Sequence, residues 1–141
     1  MSWLTNGFAT VNAVTADFAP RSPAHVVAAA VLGIEAGTMA LAAVLYVTFG
    51  IIGDTGSAGL SFGIAAIAAL AALGLGALAR GLSRARRWAV TPSITWQVLQ
   101  GFVAAYVISI GDVAPGAVAL ALAIVGLVAL ALVSRTYASR D

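Results

Sequence analysis

The sequence predicts an all-α membrane protein: four transmembrane helices packed as an antiparallel bundle, with both termini in the cytoplasm. Three observations point there. The 141 residues are 62% hydrophobic and 9% charged, with a mean hydropathy of +1.04, whereas soluble domains are about half apolar. Four apolar stretches of bilayer length follow one another with short polar connectors between them. All seven cations, every one an arginine, fall on one side of those stretches.

Residues 1–25 form an N-terminal cytoplasmic or interfacial segment. Leu4, Phe8, Val11 and Phe18 recur at helical spacing, and Asp17 and Arg21 are its only charges. Interfacial helices normally carry a basic polar face, which this one lacks, so an amphipathic anchor and a loosely ordered leader both stay open. No cation precedes an apolar run with a cleavage pattern, so the segment is expected to stay on the mature protein.

The transmembrane domain covers 26–135, with spans over about 26–52, 58–79, 93–110 and 117–133, each near the ~20 residues that cross a bilayer core as a helix. Lipid offers no partner to a backbone amide, so each span must be helical. The first contains Glu35, and the third is the most polar, with Gln97 and Gln100. Residues 136–141 form a cytoplasmic tail. The connectors 53–57, 80–92 and 111–116 are short, which makes chain neighbours antiparallel neighbours in space. Gly53-Asp54 and Gly111-Asp112 supply turn chemistry, and Pro92 and Pro115 suit the first turn of the helices they open.

Arginine placement sets the orientation. Arg21 precedes the first span, Arg80, Arg84, Arg86 and Arg87 lie between the second and third, and Arg135 and Arg140 follow the fourth. The opposite side carries only Asp54 and Asp112, so the positive-inside rule places both termini and the middle loop in the cytoplasm; the use of arginine with no lysine suggests a GC-rich bacterial genome, hence a multi-pass protein of the bacterial inner membrane. Trp88, Trp96 and Tyr137 fall near that interface, where amphipathic rings anchor well.

Composition excludes much chemistry. Without cysteine there is no disulfide, thiolate nucleophile or sulfur-ligated metal, and the lone His25 cannot build a haem or zinc site within one chain. No nucleophile and base are paired and no phosphate-binding glycine loop occurs, so neither enzymatic activity nor a metal or cofactor is expected. A pI near 9.7 reflects arginines flanking apolar segments, which topology explains better than nucleic acid does.

Glu35 is the one ionisable side chain deep in a span, where a charge costs about 2.5 to 3.5 kcal/mol on insertion scales and should face protein. Glu35 on the first span and Gln97 and Gln100 on the third all fall in the inner half, and Thr38 shares the helix face of Glu35. A polar cluster of Glu35, Thr38, Gln97 and Gln100 is therefore expected between spans one and three. Interhelical glue and a proton or substrate site are the two roles such a cluster can have.

Two further patterns concern packing and partners. Gly33 and Gly37 form one GxxxG, Gly59 and Gly63 another, and Ala65, Ala69, Ala72 and Gly76 continue a smooth strip. These are expected to pack the four helices against one another, with contact to further copies or another protein left open. The run Arg84, Arg86, Arg87 and Trp88 suits topology first, and also contact with anionic headgroups or an acidic partner.

The stretch from Arg84 to Gln100, Arg-Ala-Arg-Arg-Trp-Ala-Val-Thr-Pro-Ser-Ile-Thr-Trp-Gln-Val-Leu-Gln, together with a Glu in span one, resembles small four-helix actinobacterial integral membrane proteins. That resemblance implies the four-helix layout and no particular activity. The expected partners are the lipid bilayer and a homo-oligomer or larger membrane complex. The expected role is a non-enzymatic accessory, assembly or interaction subunit, with a small proton-coupled transporter or channel using Glu35 as the alternative.

Overall fold

The computed structural model describes residues 22–53 and 57–138. The expectations for residues 1–21, for Asp54 in the first turn and for the last three residues of the tail, Arg140 among them, lie outside that range. Among the described residues there are four α-helices: α1 (Pro23–Ile52), α2 (Ala58–Ser83), α3 (Val90–Ser109) and α4 (Val113–Ala138), with a 3-10 turn at Arg87–Ala89. Helices α1, α2 and α4 are long and apolar enough to cross a membrane, while α3, at 20 residues, is shorter. Helices α2 and α4 run past their apolar stretches, to Ser83 and Ala138, and α1, α3 and α4 begin earlier than expected, at Pro23, Val90 and Val113. Helix α4, for example, starts at Val113 and carries Pro115 in its first turn, where a missing N–H costs nothing.

Helix ends close by recognisable devices. At the end of α2, Arg86 N–H donates to Gly81 O at 3.0 Å and Ala85 N–H to Leu82 O at 2.9 Å. This is a Schellman closure with Ala85 at the left-handed position, φ 53°. Helix α3 ends the same way, Asp112 N–H on Val107 O and Gly111 N–H on Ile108 O, and there glycine takes the positive φ of 102°.

Packing is uneven. Helix α1 lies against α2 and α4, α3 lies against α4, and α2 and α3 touch little, leaving a groove of about 500 Å³ between them. Small side chains make the α1–α2 contact: Gly50 is buried, and a Cβ there would come within 3.1 Å of the Phe62 ring. The main core gathers at the arginine end, where Ala28 and Leu32 of α1, Leu75 and Leu82 of α2, and Leu130 and Val133 of α4 bury one another. Large side chains such as Leu41, Ile67, Leu70, Leu73, Phe102 and Val118 point outward, the arrangement a hydrocarbon solvent demands of a helix that is apolar all round.

A clasp ties three chain segments together at this end. His25 is buried and its Nδ1 accepts from the Ser22 backbone N–H at 3.3 Å and lies 2.9 Å from Ser22 Oγ. Tyr137 O–H donates to the carbonyl of Ala85 at 2.8 Å. The phenol proton is thus spent, so His25 Nε2, 3.3 Å from Tyr137 Oη, carries the ring proton and donates it. This assignment of the imidazole proton satisfies every partner. The Arg87 guanidinium stands 5.6 Å from the Tyr137 ring centroid, within cation–π range.

Candidate functional site: a buried carboxylate among neutral donors

Glu35 shares its helix face with Ala28, Val31 and Leu32, all buried, and is itself only 5% exposed. Its carboxylate meets α3. Gln97 Nε2 donates to Oε1 at 3.0 Å and to Oε2 at 3.1 Å, and the Trp96 indole N–H donates to Oε2 at 2.9 Å. A carboxylate only accepts, so the carboxamide turns its nitrogen to Glu35. That leaves Gln97 Oε1 buried without a hydrogen-bond partner.

The reach of Gln97 depends on α4. A Cβ on Gly126 would sit 2.6 Å from Gln97 Cδ and 2.9 Å from both of its terminal atoms. The carboxamide therefore lies flat on bare backbone, and only glycine leaves it room. Ser93, one turn earlier on the same buried face, turns its hydroxyl back onto Ala89 O at 2.6 Å, so it does not compete for Glu35.

Gln100 enters indirectly. Its Oε1 accepts from the same Trp96 N–H at 3.0 Å, and its Nε2 donates to Ala119 O of α4 at 3.2 Å. Glu35, Trp96, Gln97 and Gln100 thus join α1, α3 and α4 in one polar network. Charge-assisted hydrogen bonds such as the two donors make to Glu35 are worth about 1.5 to 3 kcal/mol each.

Thr38 stands apart from this network. It is exposed and its hydroxyl donates to Ile34 O at 2.9 Å, the local partner that a threonine inside a helix always has to hand. Trp96 takes the place expected for Thr38. Sequence reasoning assigned Trp96 to the interface, yet an indole N–H that leaves water must find an acceptor, and Glu35 is the acceptor at that depth. Its position next to Gln97 and four residues before Gln100 was the available signal.

The paired glycines also need correction. Gly33, Gly37, Gly59 and Gly63 are all exposed, and a Cβ on Gly33, Gly37 or Gly63 would meet no atom within 4 Å. At Gly59 the nearest atom is Ser57 Oγ at 4.0 Å. They pack against no other helix among the described residues. The glycines that do are Gly50, Gly81, Gly116 and Gly126, spaced too irregularly to form a motif. In the arginine run, Arg84, Arg87 and Trp88 are exposed and Arg86 is half-buried.

A groove of about 710 Å³ opens beside the network between α1, α3 and α4. Glu35, Thr38, Trp96 and Gln100 are its polar wall, and aliphatic side chains such as Leu99, Val103 and Leu122 make up most of the rest. Trp96 and Leu99 also line the groove between α2 and α3, so one indole separates the two. Chemically the arrangement can hold a proton and fix three helices. No protein family, curated relative or solved structure matches this chain.

Proposed function

We propose that the chain is a non-enzymatic accessory, assembly or interaction subunit of a bacterial inner-membrane complex, with four antiparallel spans and its termini and Arg84–Arg87 loop in the cytoplasm. The outward glycines carry this reading. Gly33 and Gly37 meet nothing among the described residues, and lipid tails gain little from a smooth helix face that another helix could approach closely. By helical spacing this face continues through Val44 to the shallow hollow that Val44, Val47 and Thr48 form with Phe62 and Ala66. The occupant is a further transmembrane helix, and the arginine loop contributes anionic-lipid or partner contact.

Gly37→Leu tests it. The substitution is expected to leave the thermal stability of the isolated chain unchanged in detergent and to remove it from a stoichiometric native complex isolated from its own membrane. Unchanged recovery of that complex with Leu at 37 counts against the reading.

A second reading, a small proton-coupled transporter or channel, is favoured by one observation: the Glu35 carboxylate lines the 710 Å³ groove. Intramembrane carboxylates mark proton and ion pathways more often than chance placement would. Glu35→Gln is isosteric, so reconstituted vesicles carrying it should lose proton-linked flux completely. Flux equal to that of the native chain eliminates this role for Glu35.

A further inference from the structure

Three features of the Glu35 site belong together. First, the carboxylate is offset by neutral donors, Trp96 and Gln97, and among the described residues the cations stand at the arginine end, in the loop with Arg84, Arg86 and Arg87 and in the last turns of α2 and α4. Helix α3 has Tyr106 as its one titratable side chain, α4 has Arg135 and Tyr137 in its last turns, α2 has Arg80 near its end, and α1 has His25 and Tyr46, ten and eleven residues from Glu35. Second, Gln97 is fully buried with an acceptor, Oε1, that nothing satisfies. Third, the Trp96 N–H is shared between two acceptors at almost equal distance, 2.9 Å to Glu35 Oε2 and 3.0 Å to Gln100 Oε1.

We propose that Trp96 and Gln97 form a relay that reads whether Glu35 carries a proton. A proton taken up from water turns the carboxylate into a neutral acid with an O–H to donate. The Gln97 carboxamide turns about its last side-chain bond until both of its polar atoms face the acid: Oε1 accepts that O–H while Nε2 keeps donating to the remaining carbonyl oxygen, so the unsatisfied acceptor finds a partner and no donor is stranded. Gly126 carries no side chain beneath the group to hold it in one orientation. The neutral acid is a poorer acceptor than the carboxylate, so the Trp96 N–H passes to Gln100 Oε1. Gln100 holds Ala119 O, and the change therefore arrives at α4. One proton enters, the site gains one unit of positive charge, and only hydrogen bonds are exchanged. Trp96 is a positioning residue here: it responds to the proton and does not carry it.

This relay gives a mechanism to the transport reading but needs only the network, so the two can fail separately. The experiment uses the full chain in lipid nanodiscs with Trp3 and Trp88 replaced by Phe, leaving Trp96 as the single indole. Infrared difference spectra report the C=O band of a protonated carboxyl, and ultraviolet resonance Raman reports the indole N–H hydrogen bond, both as the pH is lowered. The part of the carboxyl band that is lost in Glu35→Gln is the Glu35 band, the four aspartates and the C-terminus accounting for the rest; that band and the indole signal are expected to move with one midpoint, and the indole shift should vanish in Glu35→Gln. In Gln100→Leu the carboxyl band should persist while the indole loses its low-pH state, because its second acceptor is gone. A Glu35 band that appears while the indole signal stays flat overturns the relay, as does an indole shift that survives in Glu35→Gln. Proton-linked flux of the same variant reconstituted into sealed vesicles decides the transport reading independently: absent flux with an intact indole response in nanodiscs removes transport and leaves the relay.

Discussion

Gly126→Ala is expected to destabilise the detergent-solubilised protein by about 3 kcal/mol, although it adds a single methyl group. Overpacking a filled site costs about 1 to 3 kcal/mol on its own. Here the methyl would stand 2.6 Å from Gln97 Cδ, so Gln97 must withdraw. Both of its contacts to Glu35 go with it, and losing hydrogen bonds to a buried charge adds about 1.5 to 3 kcal/mol. Gly37→Ala is the control, since its Cβ enters open space and its effect should stay within about 0.5 kcal/mol, the range of substitutions away from packed features. Reversible unfolding in mixed micelles measures both. Shortening Gln97 to Ala in the Gly126→Ala background should cost far less than the two single changes added together, because one vacates the space the other needs. Equal stability of Gly126→Ala and Gly37→Ala would mean that Gln97 does not cross α4 where it is described.

Tyr137→Phe is expected to cost about 2 kcal/mol, the penalty of leaving buried polar groups without partners. The ring stays, so its packing and its contact with the Arg87 guanidinium are retained and the loss belongs to the hydroxyl alone. Without it, the Ala85 carbonyl loses its donor and the His25 Nε2–H loses its acceptor, and both sit at buried residues. Tyr106→Phe provides the comparison, because Tyr106 is 64% exposed and its hydroxyl should contribute little. The same thermal or denaturant melts apply, and a Tyr137→Phe melt superimposable on the native one would show that the clasp does not hold the arginine end together.

The two regions differ in how far they could be foreseen. Glu35, Gln97 and Gln100 were legible because a polar side chain inside a 20-residue apolar run is costly, so depth along the helix and helical spacing suffice to bring candidates together. Thr38 satisfied the same criteria, and its exclusion reflects competition from a carbonyl four residues back, which sequence spacing cannot weigh. Trp96 failed for the opposite reason: a tryptophan near a helix start suits the interface as well as it suits a carboxylate. The clasp was not legible at all. His25, Ala85 and Tyr137 lie 52 and 112 residues apart in the pairs they form, and none belongs to a pattern with a period. Ala85 even hides its conformation, since a left-handed position usually announces itself as glycine.

The sequence by itself determined that the chain folds into long apolar helices and where the connectors fall. These follow from transfer energies and covalent reach, which are properties of residues taken in order along the chain. Which helix faces meet was decided only in three dimensions. Away from the Glu35 network the faces are nearly all apolar, so hydrophobicity cannot rank them, and selection falls to atomic fit. That fit sent the regular glycine pairs Gly33/Gly37 and Gly59/Gly63 outward and chose the unpatterned Gly126 as the place where Gln97 could cross to Glu35.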